Sequence, residues 1–281
     1  MIFALLSAFM FAFSNILWKQ KLIVVGTNTL ISYRAIFTST IAIVLTVILC
    51  EPFTFKAMDF IKITSGSILG FIGLWCMLVV IRNTSLQWLA VYSLAGVVFN
   101  AVYLIVFESY DLTSLILGGI FIVFGFIHFA LNQQKSGKSI SLRNHLILLV
   151  MTISFSLSSI IHWKNLCSDI SPLVIISNQE TIVLFISTFG VIIQRKKNDY
   201  IQEFNKHYKS TFFMAIILVL ALLFSLIGLE KTNPLTMSLV VLISPILTLN
   251  LNSILLKDRI SPACILSVII ILIGSILLAI S

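Results

Sequence analysis

The fold class this sequence predicts is an all-α polytopic membrane protein of ten transmembrane helices, arranged as two inverted five-helix repeats. Three observations lead there. First, only 10% of the 281 residues are charged and mean hydropathy is +1.12, whereas soluble domains carry about 25% charged residues. Second, apolar runs of about 20 residues, long enough to span a bilayer, recur along the whole length. Third, the later runs weakly repeat the earlier ones, as tandem units do.

Apolar runs bounded by charge, Pro or turn residues place the first five helices near 2–18, 29–49, 62–81, 85–107 and 113–131. The second five fall near 145–163, 172–194, 211–229, 235–256 and 262–280. The opening run, MIFALLSAFMFAFSNILWKQ, lacks the basic start and small-x-small cleavage pattern of a secretory signal, so it reads as a retained span. Most connections are short. The two longest, NQQKSGKSISLRN and RKKNDYIQEFNKHYKS, are polar and basic and read as loops. The chain thus divides into a five-helix unit at 1–131, a basic linker at 132–144 and a second unit at 145–281. No hydrophilic stretch could fold as a separate soluble domain, so function sits in or beside the membrane.

The repeat shows in register. A shift of 144 lays Phe11–Leu17 (FAFSNIL) over Phe155–Ile161 (FSLSSII), and shifts of 148 and 149 align Thr84 with Thr232 and Gly125 with Gly274. An odd number of spans per unit forces the two units into opposite orientations, the plan from which secondary transporters build two alternating faces around one site.

The net charge of +8 lies in connecting loops, which argues for membrane orientation and against a nucleic-acid partner. Four cysteines, Cys50, Cys76, Cys167 and Cys264, lack metal-ligand or redox spacing and read as buried small hydrophobes. Odd-numbered loops hold 13 Lys and Arg, against four in even-numbered loops. The positive-inside rule therefore puts odd loops in the cytoplasm and both termini outside.

Glu180 interrupts the seventh run, VIISNQETIVLFIS. A charge at the centre of a membrane helix costs at least about 2.5–3.5 kcal/mol on insertion scales. Helical spacing puts Ser177, Thr181, Leu184 and Thr188 on or near its face, a polar stripe rather than a lone defect. Two readings stand. In one, Glu180 lines a hydrated cavity and takes an amine or a proton; in the other, it is a neutral acid hydrogen-bonded to a neighbouring helix. Arg34, shallower in the second run, either snorkels to the interface or faces the cavity, pairing with a substrate carboxylate or with Glu180.

Further polar candidates for a substrate site are Ser14 and Asn15 in the first run, Asn178 in the seventh, and Thr248, Asn250 and Asn252 in the ninth. In the fourth run Trp88, Tyr92, Phe99 and Tyr103 share a face beside Asn100, a stripe suited to an aromatic substrate or a quaternary amine. Trp75 in the third run is a lesser candidate. His162 and Trp163 at a helix end read as interfacial. Gly66, Gly70 and Gly73 on adjoining turns read as a close helix contact, as do Gly118, Gly119 and Gly125.

The stretch TNPLTMSLVVLISPILTLNLNSILLKDRISPACILSVIIILIGSILLA resembles the signature half of the EamA family of the drug/metabolite transporter superfamily. Pro245, Asp258 and Gly274 stand at that pattern's Pro, acidic-turn and late-Gly places, and FSNILWKQKL and YRAIFTST resemble its first- and second-helix patterns. Gly96-Val97 departs from a Pro common in the first repeat, and Asp258 replaces the commoner Glu. The resemblance implies a ten-helix basket in a bacterial cytoplasmic membrane, with termini inside, against the charge count.

Together these features predict a secondary active transporter of a small metabolite, an amino acid or related amine above others. Drug or lipid-headgroup export on the same fold is the alternative. No GxxxxGK[ST] loop is present, so proton coupling or exchange is the expected drive, with no cofactor and no metal. The scattered histidines, His128, His145, His162 and His207, argue against a membrane-embedded enzyme. The expected partners are the substrate, the bilayer and at most a second copy of the chain.

Overall fold

The computed structural model describes residues 1–51, 56–83, 86–109, 113–134, 141–193, 197–244, 246–248, 251, 266–267, 269–271, 273–274 and 277. Among the described residues the chain is helical without strands. The helices are α1 (Ile2–Leu22), α2 (Thr27–Ile48), α3 (Ala57–Asn83), α4 (Leu86–Glu108) and α5 (Thr113–Gln134), then α6 (Leu142–Leu166), α7 (Pro172–Ile193), α8 (Lys197–Glu230) and α9 (Pro234–Val241). The described residues between 266 and 277 are helical as well, where the tenth span is expected. Among the described residues six helices are long and apolar enough to cross a membrane, and three shorter apolar ones accompany them. Pro245, Asn250, Asn252, Asp258 and Cys264 lie outside the described residues.

Local chemistry sets the ends. Ser141 caps α6 by accepting from the Asn144 amide, and Asn233 caps α9 by accepting from the Thr236 amide, with Pro234 at the first helical position. α2 and α6 close with a residue in the left-handed region, Cys50 (φ 54°) and Asp169 (φ 61°). The following amides, of Glu51 and Ile170, reach back to the carbonyls of Thr46 and Asn165.

One sequence expectation fails clearly. RKKNDYIQEFNKHYKS is no loop where it is described: α8 begins at Lys197 and its 34 residues reach about 51 Å, well beyond the hydrocarbon core of about 30 Å. Low hydropathy marks the end of lipid, not the end of a helix, and nothing in this stretch breaks one. Tyr200 and Phe204, one turn apart, lay an aromatic face on Tyr33 and Phe37 of α2, with ring centroids 4.7–5.7 Å apart.

The helices pair across the two chain halves: α1 with α8, α2 with α7, α3 with α6, and α4 with α9. In α3 and α6 the glycines explain the intimacy. A Cβ at Gly66, Gly70 or Gly73 would meet His162, Ser158 and Phe155 respectively, so three small residues on successive turns of α3 receive three side chains of antiparallel α6. His162 is consequently buried, 4% exposed, and not interfacial as its place near a helix end suggested. Of the cysteines, Cys76 is buried, whereas Cys50 and Cys167 are exposed at helix ends, against the expectation of buried positions. A similar fit joins α5 to the segment at 266–277. Gly125 faces Ile270 and Ile271, Gly274 faces Ile122 and the backbone of Gly118, and His128 Nδ1 bonds Ser267 Oγ at 2.8 Å.

Candidate functional site

The polar stripe predicted on α7 meets a second stripe on α2, and the two close on each other in antiparallel register. Thr46 Oγ1 and Ser177 Oγ lie 2.8 Å apart at one end, and Ser32 Oγ and Thr188 Oγ1 lie 2.8 Å apart at the other. Between them Arg34 Nη1 lies 2.9 Å from Glu180 Oε2, and Thr38 Oγ1 donates to that same oxygen at 2.5 Å. Both charged side chains are sealed at 1% exposure. Seven residues separate Arg34 from the start of α2 and eight separate Glu180 from the start of α7, so each reaches inward from an opposite side of the membrane.

Both one-sided expectations are corrected. Arg34 does not snorkel to the interface; its guanidinium turns into the protein, where burial and a countercharge hold it. Glu180 does not open on a water-filled space in this conformation, because its carboxylate is taken up by Arg34 and Thr38. The pairing of the two, one of the readings of Arg34, is the geometry found.

The pair is imperfectly satisfied. None of the three guanidinium nitrogens makes a well-aligned hydrogen bond, and Nε and Nη2 have no acceptor among the described residues. The guanidinium carbon lies 5.6 Å from the centroid of the buried Trp18 ring, within cation–π range. Ser14 and Asn15, within a turn of Trp18 on α1, are buried too.

Beyond the pair toward the α8 extension, the seam is tied down. Ser32 Oγ also bonds the Tyr200 hydroxyl at 2.6 Å, and the Tyr33 hydroxyl donates to the Tyr200 carbonyl at 2.6 Å. Ser32 thereby links α2, α7 and α8 at one point.

The other candidates distribute around this seam. Thr181 is half-buried and donates to the Ser177 carbonyl. Asn178 is half-buried and accepts from Ser67 of α3 at 3.0 Å. Thr248 is buried and donates to the carbonyls of Ser244 and, across to α1, Ala12. Asn100 is buried and donates to the Pro234 carbonyl. Trp75 is 39% exposed and donates to Asn28 at the start of α2, so it lies at the protein surface.

The aromatic face of α4 has other work in this conformation. Tyr92 bonds His145 at 2.9 Å, Phe99 is half-buried, and the cation over Tyr103 is Lys164, at 5.5 Å. Lys164 also pairs with Glu108 at 2.8 Å, tying the ends of α6 and α4 together. The side chain of Trp88 lies outside the described residues. Sequence reasoning missed Thr38, Thr46, Ser32, Tyr200 and Trp18. Thr38 and Thr46, four and twelve residues after Arg34, carried a faint signal as a polar stripe; Tyr200 carried none, being assigned to a loop.

A family model described as the EamA-like transporter family matches residues 143–280. Residues 143–280, the second half of the chain, belong to the EamA-like transporter family, part of the drug/metabolite transporter superfamily. This EamA-like protein is therefore an integral membrane transporter of the drug/metabolite transporter type. Solved structures share its fold: one crystal structure superposes with a TM-score of 0.69 at 11% sequence identity, covering 97% of this chain and 98% of that one. No curated protein matches the EamA-like chain in sequence.

Proposed function

We propose that the protein is a secondary active transporter that moves a small metabolite, an amino acid or related amine, across a bacterial cytoplasmic membrane. The two chain halves alternate access to a site at the α2–α7 seam, and a proton gradient or solute exchange drives the cycle. The observation that carries this reading is the Arg34–Glu180 pair. Two opposite charges, buried seven and eight residues inside two facing helices, cost desolvation that apolar residues would avoid, and intramembrane ionisable residues mark substrate and ion pathways.

Contacts that exchange between the halves, as an inverted two-fold relation would require, support the alternating mechanism. The contact of Gly125 with Ile271 becomes that of Gly274 with Ile122 when numbers are exchanged through a shift of 149. Likewise the pairing of α1 with α8 becomes that of α6 with α3 on advancing five helices, and α2 with α7 maps onto itself. The reading assigns the remaining site candidates, Asn15, Asn178, Thr181, Thr248, Tyr92, Phe99 and Asn100, to contact with the solute once the halves have moved apart.

Reconstitution in proteoliposomes tests the reading. Uptake of one or more amino acids or amines is expected, and Glu180→Gln abolishes or uncouples it while the protein remains inserted. Undiminished uptake by Glu180→Gln rules out the assigned role.

A further inference from the structure

The buried histidine of α6 takes no part in the α2–α7 seam, and its surroundings give it a role of its own. We propose that His162 is a proton-binding site separate from that seam: its imidazole takes a proton when α3 and α6 part and yields it when they close. The site rests on the α3–α6 contact alone; its use in driving the cycle rests on the transport reading above.

The argument begins with what the ring lacks. A neutral imidazole brings one donor and one acceptor, and buried groups of that kind are normally satisfied. His162 is 4% exposed, yet neither Nδ1 nor Nε2 has a hydrogen-bond partner among the described residues. The ring lies against Gly66 of α3, where a Cβ would come within 2.8 Å of Cε1 and 3.1 Å of Nδ1. The Gly66 carbonyl, which a ring N–H could have met, is taken by Ser158 Oγ at 2.8 Å. Gln179 of α7 stands beside the ring without an aligned bond to it.

No charge among the described residues answers the ring either. On α6, Lys164 pairs with Glu108 of α4; on α3, Lys62 pairs with Asp59; on α7, Glu180 is held by Arg34. Asp169 after α6 and Glu230 and Lys231 at the end of α8 are exposed, and α9 carries no titratable residue. An imidazolium in the closed contact would be a cation with neither water nor countercharge, whereas parting α3 from α6 admits water to both nitrogens. Imidazole is the side chain that changes charge nearest neutral pH. One nitrogen lone pair therefore accepts a proton from water in the open contact and returns it to water on closing. Because α3 belongs to the first half of the chain and α6 to the second, each exchange of that proton accompanies a movement between the halves.

The repeat supports the same assignment independently. The shift of 144 that lays Phe11–Leu17 over Phe155–Ile161 also lays Trp18 over His162 and Arg34 over Asn178. In the first half an aromatic ring stands 5.6 Å from a permanent cation. In the second half the corresponding ring stands beside the neutral amide of Gln179, next to Asn178, and is itself the group able to become a cation. Protonation of His162 gives the second half the positive charge that the first half carries in Arg34.

Amide hydrogen exchange of the purified protein tests the site without any solute. In the open contact the ring titrates near about pH 6.5, so protection of residues 62–73 and 155–166, corrected for the chemical exchange rate, is expected to fall about tenfold from about pH 7.5 to about pH 5.5. The α1–α8 contact, where Trp18 stands in place of a histidine, is not expected to follow. His162→Gln, which keeps hydrogen-bonding groups but takes no proton, is expected to abolish the pH dependence, and His145→Gln, at the other end of α6, to leave it. Protection at α3–α6 that is independent of pH in the parent, or that falls equally in His162→Gln, overturns the inference. In proteoliposomes holding a pH-sensitive dye, amino-acid uptake by the parent is expected to move protons, and His162→Gln to keep counterflow exchange while losing accumulation driven by a pH gradient. Accumulation that survives in His162→Gln overturns the inference and leaves the transport reading intact. No uptake at all, with acid opening present in the parent and lost in His162→Gln, sinks the transport reading and supports the proton site.

Discussion

Removing the Arg34–Glu180 charges one at a time and together gives a double-mutant cycle whose outcome follows from the geometry. At the 2.9 Å separation, Coulomb attraction amounts to about 6 kcal/mol at an effective dielectric of about 20. Desolvation of both ions offsets much of that, so the pair as a whole contributes little net stability. Each single variant is different, because it leaves the other charge buried and alone. Arg34→Gln and Glu180→Gln are each expected to destabilise the protein by about 3–5 kcal/mol, whereas the double variant returns to within about 1 kcal/mol of the parent. The coupling energy therefore exceeds about 3 kcal/mol. SDS titration of the protein in mixed micelles, followed by tryptophan fluorescence with Trp18 as a local reporter, measures it. Additive effects, or single variants costing under about 1 kcal/mol as exposed pairs do, would refute a buried ion pair at this seam.

The remaining expectations use other parts of the molecule. A Cβ at Gly274 would sit 2.8 Å from the Gly118 carbonyl oxygen and 2.9 Å from the Ile122 amide, and backbone cannot step aside. Gly274→Ala should cost about 1–3 kcal/mol and lower the melting temperature more than Gly125→Ala, which meets only isoleucine side chains; equal effects would contradict the packing. Tyr200→Phe deletes the hydroxyl bonded to Ser32 and should cost about 1 kcal/mol, with faster amide exchange across 197–210; unchanged exchange would mean the α8 extension does not depend on that tie. For orientation, Ser136→Cys in a chain whose exposed Cys50 and Cys167 are replaced by serine should resist an impermeant thiol reagent in intact cells if odd-numbered loops are cytoplasmic, and rapid labelling would reverse the assignment.

Much of this architecture was legible in the sequence because hydropathy reports lipid directly. The runs at 2–18, 29–49 and 172–194 correspond closely to α1, α2 and α7. The glycines of α3 were readable as a close contact because a missing Cβ has few uses in a membrane helix. The start of α8 was not readable: polar residues leave the bilayer without leaving the helix, and hydropathy cannot separate those events. At the site, Glu180 and Arg34 were conspicuous as charges, and the stripe through Ser177 and Thr188 was placed by helical period alone. Their mutual register was beyond reach, since it depends on how two helices far apart in the chain lie against each other. The burial of His162 was missed for a related reason: it is made by Gly66, on another helix.

Arg34 precedes Glu180 by 146 residues. At ribosomal speeds of about 5–20 residues per second, its helix waits roughly 7–30 s in the nascent chain before the answering carboxylate is synthesised. During that delay the guanidinium must find water or headgroup phosphate, and a position seven residues inside α2 keeps both within reach of its long stem. A deeper arginine would burden insertion from the outset. The shallow placement of Arg34 thus reconciles two timetables, that of biogenesis, when the charge is solitary, and that of the finished protein, when it turns inward.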